Sequence, residues 1–334
     1  MPGFFRLLAI LLVMGVFASC GSQAAPATTT TTTTTGNGTK INNLTFTDAT
    51  NTTITLSKPP ARIACLVSLC EDILAELGLQ PVAVNDTFGQ DLHFFGAEAK
   101  SFMIIGGPFF NPNVEDIAKA TPDLVIGLAN VHENLRDALQ PIAPLYIMNP
   151  TSYSGSIKYL KDIGRLTGRS NQANQAAQAF MHKLAAYQAK SPKSKSALLM
   201  YGSDVNFNIF TAGSLPGGLL AQVTSYPWPA PGPGAPAASD HEPGAIPYSL
   251  EKILATDPDV LFMASLTFTP GAQPLSKQLA SNPVWSNLKA VKNKQVYEVN
   301  PSFYIFGRGT RSLSLALDDA MNKLYPDVFP TPLS

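Results

Sequence analysis

Very little in this sequence is available for covalent or metal stapling. Three cysteines in 334 residues are too few for a disulfide framework. Cys65 and Cys70 stand five positions apart across an expected strand-to-helix junction, and two buried thiols are the expected state. The four histidines, His93, His132, His182 and His241, are scattered, and no HxxH or HExxH spacing joins them, which disfavours a metalloenzyme. There is no GxSxG, since Gly213-Ser214-Leu215-Pro216-Gly217 has the wrong spacing for a nucleophile elbow. The segment Gly307 to Ser312 only half matches a dinucleotide fingerprint and lies at the wrong end of the chain. Lys and Arg number 23 against 23 Asp and Glu, so no basic excess points to nucleic acid. Past the N-terminus no apolar run is long enough to span a membrane. These absences point away from an enzyme, a resident metal or cofactor, and a nucleic-acid partner.

The N-terminus reads as an export signal. Residues 1–19 carry one cation, Arg6, then an apolar run from Leu7 to Phe17 and small residues, the pattern of a cleaved secretory leader. Phe17-Ala18-Ser19-Cys20 resembles a bacterial lipobox, which implies cleavage before Cys20 and a lipid on its sulfur; cleavage elsewhere with an unmodified Cys20 is the alternative. Residues 20–40 then form a tether, with eight threonines in a row from Thr28 to Thr35 and too little apolar content to build a core.

The remaining chain alternates apolar strand-like runs with helical periodicity, the grammar of α/β units around mainly parallel sheets. Ile41 to Leu56 alternates as an edge hairpin would, around an Asp-Ala-Thr-Asn turn. Asn171 to Lys190 is the longest helical pattern. Its Ala173, Ala176, Ala177, Phe180, Leu184 and Tyr187 share one face; Gly168 closes the helix before it, Ser170 is the expected N-cap, and Pro192 stops it. On either side lies an internal echo. Asn113 to Ile126 and Ser249 to Phe262 match at Glu115 and Glu251, Ile117 and Ile253, Pro122 and Pro258, and Asp123 and Asp259. Each reads as a capped short helix, a Pro-Asp turn and a buried strand. The expected organisation is an N-terminal α/β lobe over 41–152, a linker region over 153–192 holding the bridging helix 171–190, and a C-terminal α/β lobe over 193–334.

From Ile41 onward the chain resembles the substrate-binding proteins of bacterial ABC importers for ferric siderophores, cobalamin and haem. The resemblance rests on PPARIACLVSLCEDILAELG, on the two Glu-containing repeats, on LTGRSNQANQAAQAF and on LASNPVWSNLKAVKNKQVYEVN. It implies two lobes joined by one rigid helix, a ligand between them, and a lipid-anchored, extracytoplasmic monomer that delivers an iron chelate to a permease and its ATPase. The alternatives are cobalamin or haem as ligand, or a surface sensor or adhesion module on the same scaffold. By family position Glu115 and Glu251 are the permease-docking acids; the competing reading is that they merely favour their helix dipoles.

Ligands of open α/β sheets sit beyond the carboxyl ends of the strands. That rule nominates Phe88, His93, Phe109, Phe110, Asn130 and His132 in the first lobe, and Tyr201, Phe210, Tyr248, Tyr304 and Arg308 in the second. The aromatic faces suit a large, partly apolar ligand, with core packing as the alternative for each. Arg308, just before a helix, suits an anion. Arg311 is divided between that role and pairing with nearby carboxylates.

Overall fold

The computed structural model describes residues 43–85, 92–234, 242–267 and 271–333. Phe88, Cys20 and the leader and tether lie outside the described residues. Two five-stranded sheets and one two-stranded hairpin organise the rest.

The hairpin pairs β1 (Leu44–Thr47) with β2 (Thr53–Leu56), antiparallel, in register from Leu44 opposite Leu56 to Thr47 opposite Thr53. Asp48 closes its turn by accepting from the Thr50 and Thr52 amides. The same carboxylate accepts from Ile147 N–H and pairs with Arg136 at 2.7 Å, which fastens the hairpin to the first sheet.

The first sheet contains β3 (Ile63–Cys65), β4 (Ala83–Asn85), β5 (Met103–Ile105), β6 (Leu124–Leu128) and β7 (Leu145–Met148). Their order is β5-β4-β3-β6-β7 and every pairing is parallel. β6 and β7 are buried along their whole length, as strands covered on both faces must be. The helices of this lobe are α1 (Ser68–Glu76), α2 (Leu92–Phe95), α3 (Val114–Lys119) and α4 (Arg136–Leu139).

Two helices then cross to the second lobe: α5 (Tyr153–Leu166) and α6 (Ser170–Lys190). Gly168 sits at φ +71° between them, as a helix-closing residue does. Ser170 is the first helical residue and not the N-cap. Arg169 holds that place, and its cationic side chain accepts no hydrogen bond. At 1.5 Å per residue α6 is about 30 Å long, and its two halves belong to different cores. Ala173 and Ala177 pack with Ile163, Leu166 and the first-lobe core. Phe180, Leu184 and Tyr187 pack with Leu317, Met321 and Phe329 of the second. One helical face thus bridges two lobes, as the spacing of its apolar residues predicts.

The second sheet contains β8 (Ala197–Gly202), β9 (Asn208–Phe210), β10 (Ala245–Pro247), β11 (Val260–Ser265) and β12 (Val296–Glu298), in the order β10-β9-β8-β11-β12. β8, β11 and β12 run parallel. β9 is antiparallel to both neighbours, so β10 again points along β8. Its helices are α7 (Leu215–Val223), α8 (Leu250–Thr256), α9 (Leu275–Leu279), α10 (Pro283–Asn287), α11 (Lys289–Lys292) and α12 (Thr310–Leu324).

The internal echo is structural. Asn113 and Ser249 cap α3 and α8 through their side chains. The Pro-Asp aspartates do matching jobs at the entrances of the two central strands. Asp123 accepts from the amides of Ala61 and Arg62, each at 2.9 Å, just before β3. Asp259 accepts from the Ser196 amide at 2.8 Å, just before β8.

Cys65 and Cys70 are not free thiols but a disulfide. The chain turns from the end of β3 into the first turn of α1, bringing their Cα atoms to 5.4 Å, within bridging range. Both are fully buried.

Candidate functional site: the cleft between the lobes

The carboxyl ends of both sheets face one another. Where they meet is a cavity of about 20 Å³ lined by Val67, Ser68, Leu69, Phe109 and Leu128 from the first lobe and Phe306 and Arg308 from the second. Ser68 opens α1 immediately after β3, inside the loop that the disulfide closes. Phe109 follows β5, and Leu128 ends β6.

The second-lobe wall is built by a five-residue π-turn, Ser302–Phe306, and the triplet Gly307-Arg308-Gly309. Arg308 has φ +54°, a left-handed conformation that costs a non-glycine residue free energy and concentrates at functional sites. Its flanks must be glycine. A Cβ on Gly307 would collide with Ser312, and one on Gly309 with the Asp72 carboxylate. The Arg308 guanidinium donates to the Ile305 carbonyl at 3.0 Å and pairs with Glu242. Burial pushes the Glu242 carboxyl up, and the adjacent Arg308 opposes that shift. Tyr201, at the end of β8, is stacked on Phe210 at 4.6 Å. Burial raises its hydroxyl, as does nearby Glu242, with Arg308 acting in the other direction.

A second polar cluster locks the lobes together beside this wall. Asp72 of α1, fully buried, accepts from the amides of Arg311 and Ser312 and from the Ser312 hydroxyl. It therefore caps α12 from the opposite lobe, a role normally filled by the residue just before the helix. Burial raises the Asp72 carboxyl to about 7. Arg311 completes the contact by reaching Glu76 of α1 at 3.2 Å and the Phe94 carbonyl of α2 at 2.9 Å. Of its two expected roles, carboxylate pairing is the one present, and the carboxylate belongs to the other lobe.

The sequence-nominated residues divide. Phe109 lines the cavity; Phe110, 53 % exposed, meets its ring edge at 5.2 Å. Asn130 is exposed after β6 at φ +60°. His93 is exposed on α2, its ring edge-on to Phe303 of the other lobe at 4.5 Å. His132 is buried with both ring nitrogens engaged. Nδ1 accepts from Leu128 N–H at 3.1 Å, so Nε2 carries the proton and donates to the Phe109 carbonyl at 2.9 Å. Burial pushes its pKa down to about 4. The ring is neutral and holds the Phe109 loop; it does not offer a nitrogen to a ligand.

Three aromatics stand elsewhere than expected. Phe210 lies in β9, fully buried in the core, because the chain beyond β8 turns back as a strand. Tyr304 is buried, and its hydroxyl donates to Asp319 of α12 at 2.9 Å. Tyr248 is half-buried and packs edge-on to Trp228 at 5.7 Å, against the core on the opposite face of the second sheet from Tyr201 and Phe210. Ser68, Asp72 and Glu242 went unnominated. Asp72 sits in an ordinary helical run, and Glu242 follows a Pro- and Gly-rich stretch, so neither carries a local signal.

Glu115 and Glu251 are both exposed in the first turns of α3 and α8. Each helix starts just after a strand, β5 or β10, that points toward the cleft. Both acids therefore stand on the carboxyl edge of their sheets. Among the described residues no group of His, Cys, Asp and Glu could hold a metal ion, and no helix is long and apolar enough to cross a membrane.

Comparison with known proteins agrees with this architecture. The chain is 25 % identical over 278 residues to the Fe(3+)-citrate-binding protein YfmC of Bacillus subtilis, covering 81 % of this chain and 83 % of that one. It is 25 % identical over 337 residues to the Uncharacterized ABC transporter substrate-binding lipoprotein YvrC of the same organism, covering 96 % of each. The crystal structure of the petrobactin-binding protein YclQ from Bacillus subtilis superposes with a TM-score of 0.71 at 21 % identity, over 85 % of this chain and 99 % of that one, and so shares the fold. The sequence signature described as periplasmic binding protein matches residues 63–302, which spans both sheets and the bridging helix, and the chain belongs to that family of binding proteins.

Proposed function

We propose that this chain is the lipid-anchored, extracytoplasmic substrate-binding component of an ABC importer, which captures a ferric chelate between its lobes and presents it to a permease. The observation that carries this reading is the cavity at which α1, Phe109 and Leu128 of one lobe meet Phe306 and Arg308 of the other. A ligand held there is gripped by both lobes at once. The ferric-citrate-binding relative, matched over most of both chains, supports an iron chelate over cobalamin or haem. The lipoprotein relative supports acylation at Cys20, which leaves residues 20–40 as a tether on the outer face of the membrane; the protein acts there as a monomer. The matched exposure of Glu115 and Glu251 on the cleft edge supports their docking to the permease, which works with its own ATPase.

The two halves of α6 are packed into separate cores, so binding proceeds with a small relative movement of the lobes. Titrating the full chain with ferric citrate, catecholate and hydroxamate complexes, haem and cobalamin, and reading quenching of Trp228 and Trp285, tests the reading. Saturable quenching by at least one ferric complex is expected; saturation by haem or cobalamin alone contradicts it. Cys20→Ser releases the protein from membranes if the anchor is as proposed, whereas retention in the membrane fraction rejects the anchor.

A further inference from the structure

We propose that the contact between α1 and α12 is an autoinhibitory clasp, which holds the cleft of the empty protein shut and which a ligand must break to enter. The clasp acts on the proposed ferric-chelate site, and so rests on that reading and adds how entry to the site is regulated. The cavity offers about 20 Å³, room for on the order of one or two waters, whereas sites for small molecules run to roughly 300–1,000 Å³. The walls therefore move apart before a chelate is held between them.

What keeps the walls together stands directly behind them. Asp72 lies one helical turn past Ser68 of the first wall, and Arg311 and Ser312 follow Arg308 of the second. The hydrogen bonds that Asp72 accepts among the described residues all come from the other lobe: from Arg311 N–H at 3.2 Å, from Ser312 N–H at 2.7 Å and from the Ser312 hydroxyl. Arg311 grips the first lobe in return, through Glu76 at 3.2 Å and the Phe94 carbonyl at 2.9 Å. The fit is close enough to require a glycine. A Cβ on Gly309 would lie 2.0 Å from an Asp72 carboxylate oxygen. A parting of the lobes by roughly 1 Å carries most of these contacts beyond hydrogen-bonding range, so a small movement is enough to undo the clasp.

The chemistry suits a contact that opens. An apolar seam would lose its burial on parting and gain nothing from water. Asp72 is fully buried, and a buried carboxylate is held at a desolvation cost; parting the lobes returns it to water, which offsets much of the loss of its partners. The shut form is thus favoured by a margin that ligand contacts with both walls exceed. A ligand that fits only the parted form binds with an affinity reduced by the fraction of protein in that form. Asp72 and Arg311 are positioning residues, which weaken binding without touching the ligand.

The test is a fluorescence titration and stopped-flow measurement on the full chain with ferric citrate, ferric catecholate and ferric hydroxamate, in wild type, Asp72→Ala, Asp72→Asn and Arg311→Met. For each complex that saturates the wild type, loss of the interlobe cap in Asp72→Ala shifts the shut-to-parted balance about tenfold. That variant is expected to bind about tenfold more tightly, through faster association, although its fold is less stable. Asp72→Asn keeps an oxygen for the two amides and stays close to wild type. Arg311→Met, whose backbone N–H still donates to Asp72, tightens binding by a smaller factor, and it decides the question if Asp72→Ala does not fold. A merely structural contact would leave affinity unchanged or lower it. Binding equal to or weaker than wild type in Asp72→Ala, or in Arg311→Met where only that variant folds, overturns the clasp and leaves the ferric-chelate reading intact. No response of the wild type to any ferric complex removes both.

Discussion

In the first lobe the strand beside the centre, β4, runs parallel to β3; in the second, β9 turns straight back against β8. Strand order is otherwise matched, and α3-β6 mirrors α8-β11 down to the aspartates that clamp the central strands. The single reversal changes what each wall can offer. A parallel β3–β4 pair requires a crossover helix, and that places the start of α1 at the cleft. A hairpin from β8 to β9 places no helix start there. The second lobe supplies its polarity instead from the Gly307-Arg308-Gly309 triplet and Glu242. One wall is built by a helix start; the other is built by a buried Arg308–Glu242 pair.

The largest effect is expected from reversing charge on the paired acids. Glu115→Arg with Glu251→Arg abolishes uptake of the chelate by cells while leaving its dissociation constant unchanged. If the lobes dock alike, each single reversal lowers uptake to a similar degree, and a loss confined to one of them makes docking one-sided.

Next is the asymmetry of the walls. Arg308→Ala leaves Glu242 buried without its cation and destabilises the fold by about 3 kcal/mol in denaturant unfolding, a loss that Glu242→Gln in the same chain largely recovers. Ser68→Ala in the opposite wall removes a hydroxyl that bonds to nothing among the described residues and leaves the unfolding midpoint unchanged.

The interlobe cap ranks third. Asp72→Ala costs about 2 kcal/mol by uncapping α12. Its pH dependence has a definite sign. The folded carboxyl titrates at about 7 against an ordinary 3.8, so the folded state binds the extra proton between those values. Stability from this group is therefore present at low pH and lost as pH rises through about 7. The thermal midpoint falls between pH 6 and 8, and Asp72→Asn flattens that slope. His132 has the opposite sign. Its folded pKa of about 4 lies below the ordinary 6.5, so its contribution is present above pH 6.5 and lost as pH falls toward 4.

The smallest expected effects test the repeat itself. Asp123→Ala and Asp259→Ala should each cost about 1 kcal/mol, measured by thermal unfolding. A clear inequality would mean the two clamps are alike in position only.

Much of this was legible from local pattern. The bridging helix, the edge hairpin, the echo and its caps each follow from residues a few positions apart. What stayed hidden depends on distant partners. Asp72 and Ser312 are 240 positions apart, and Arg308 and Glu242 are 66 apart. Nothing near either carboxylate marks it as a buried cap or a buried counter-ion. Phe210 and Tyr304 read as cleft aromatics because strand-like and loop-like short runs are alike in sequence. A five-residue spacing between Cys65 and Cys70 does not reveal that the turn into α1 folds back and brings them within bridging range.

In the proposed binding mode one ferric chelate is held by both walls together. Hydrogen–deuterium exchange of the full chain with and without saturating ferric citrate tests it most directly. The amides of residues 67–70 and of 303–309 are expected to gain protection together, at the same ligand concentration. Protection in one segment without the other, or in neither, would contradict it.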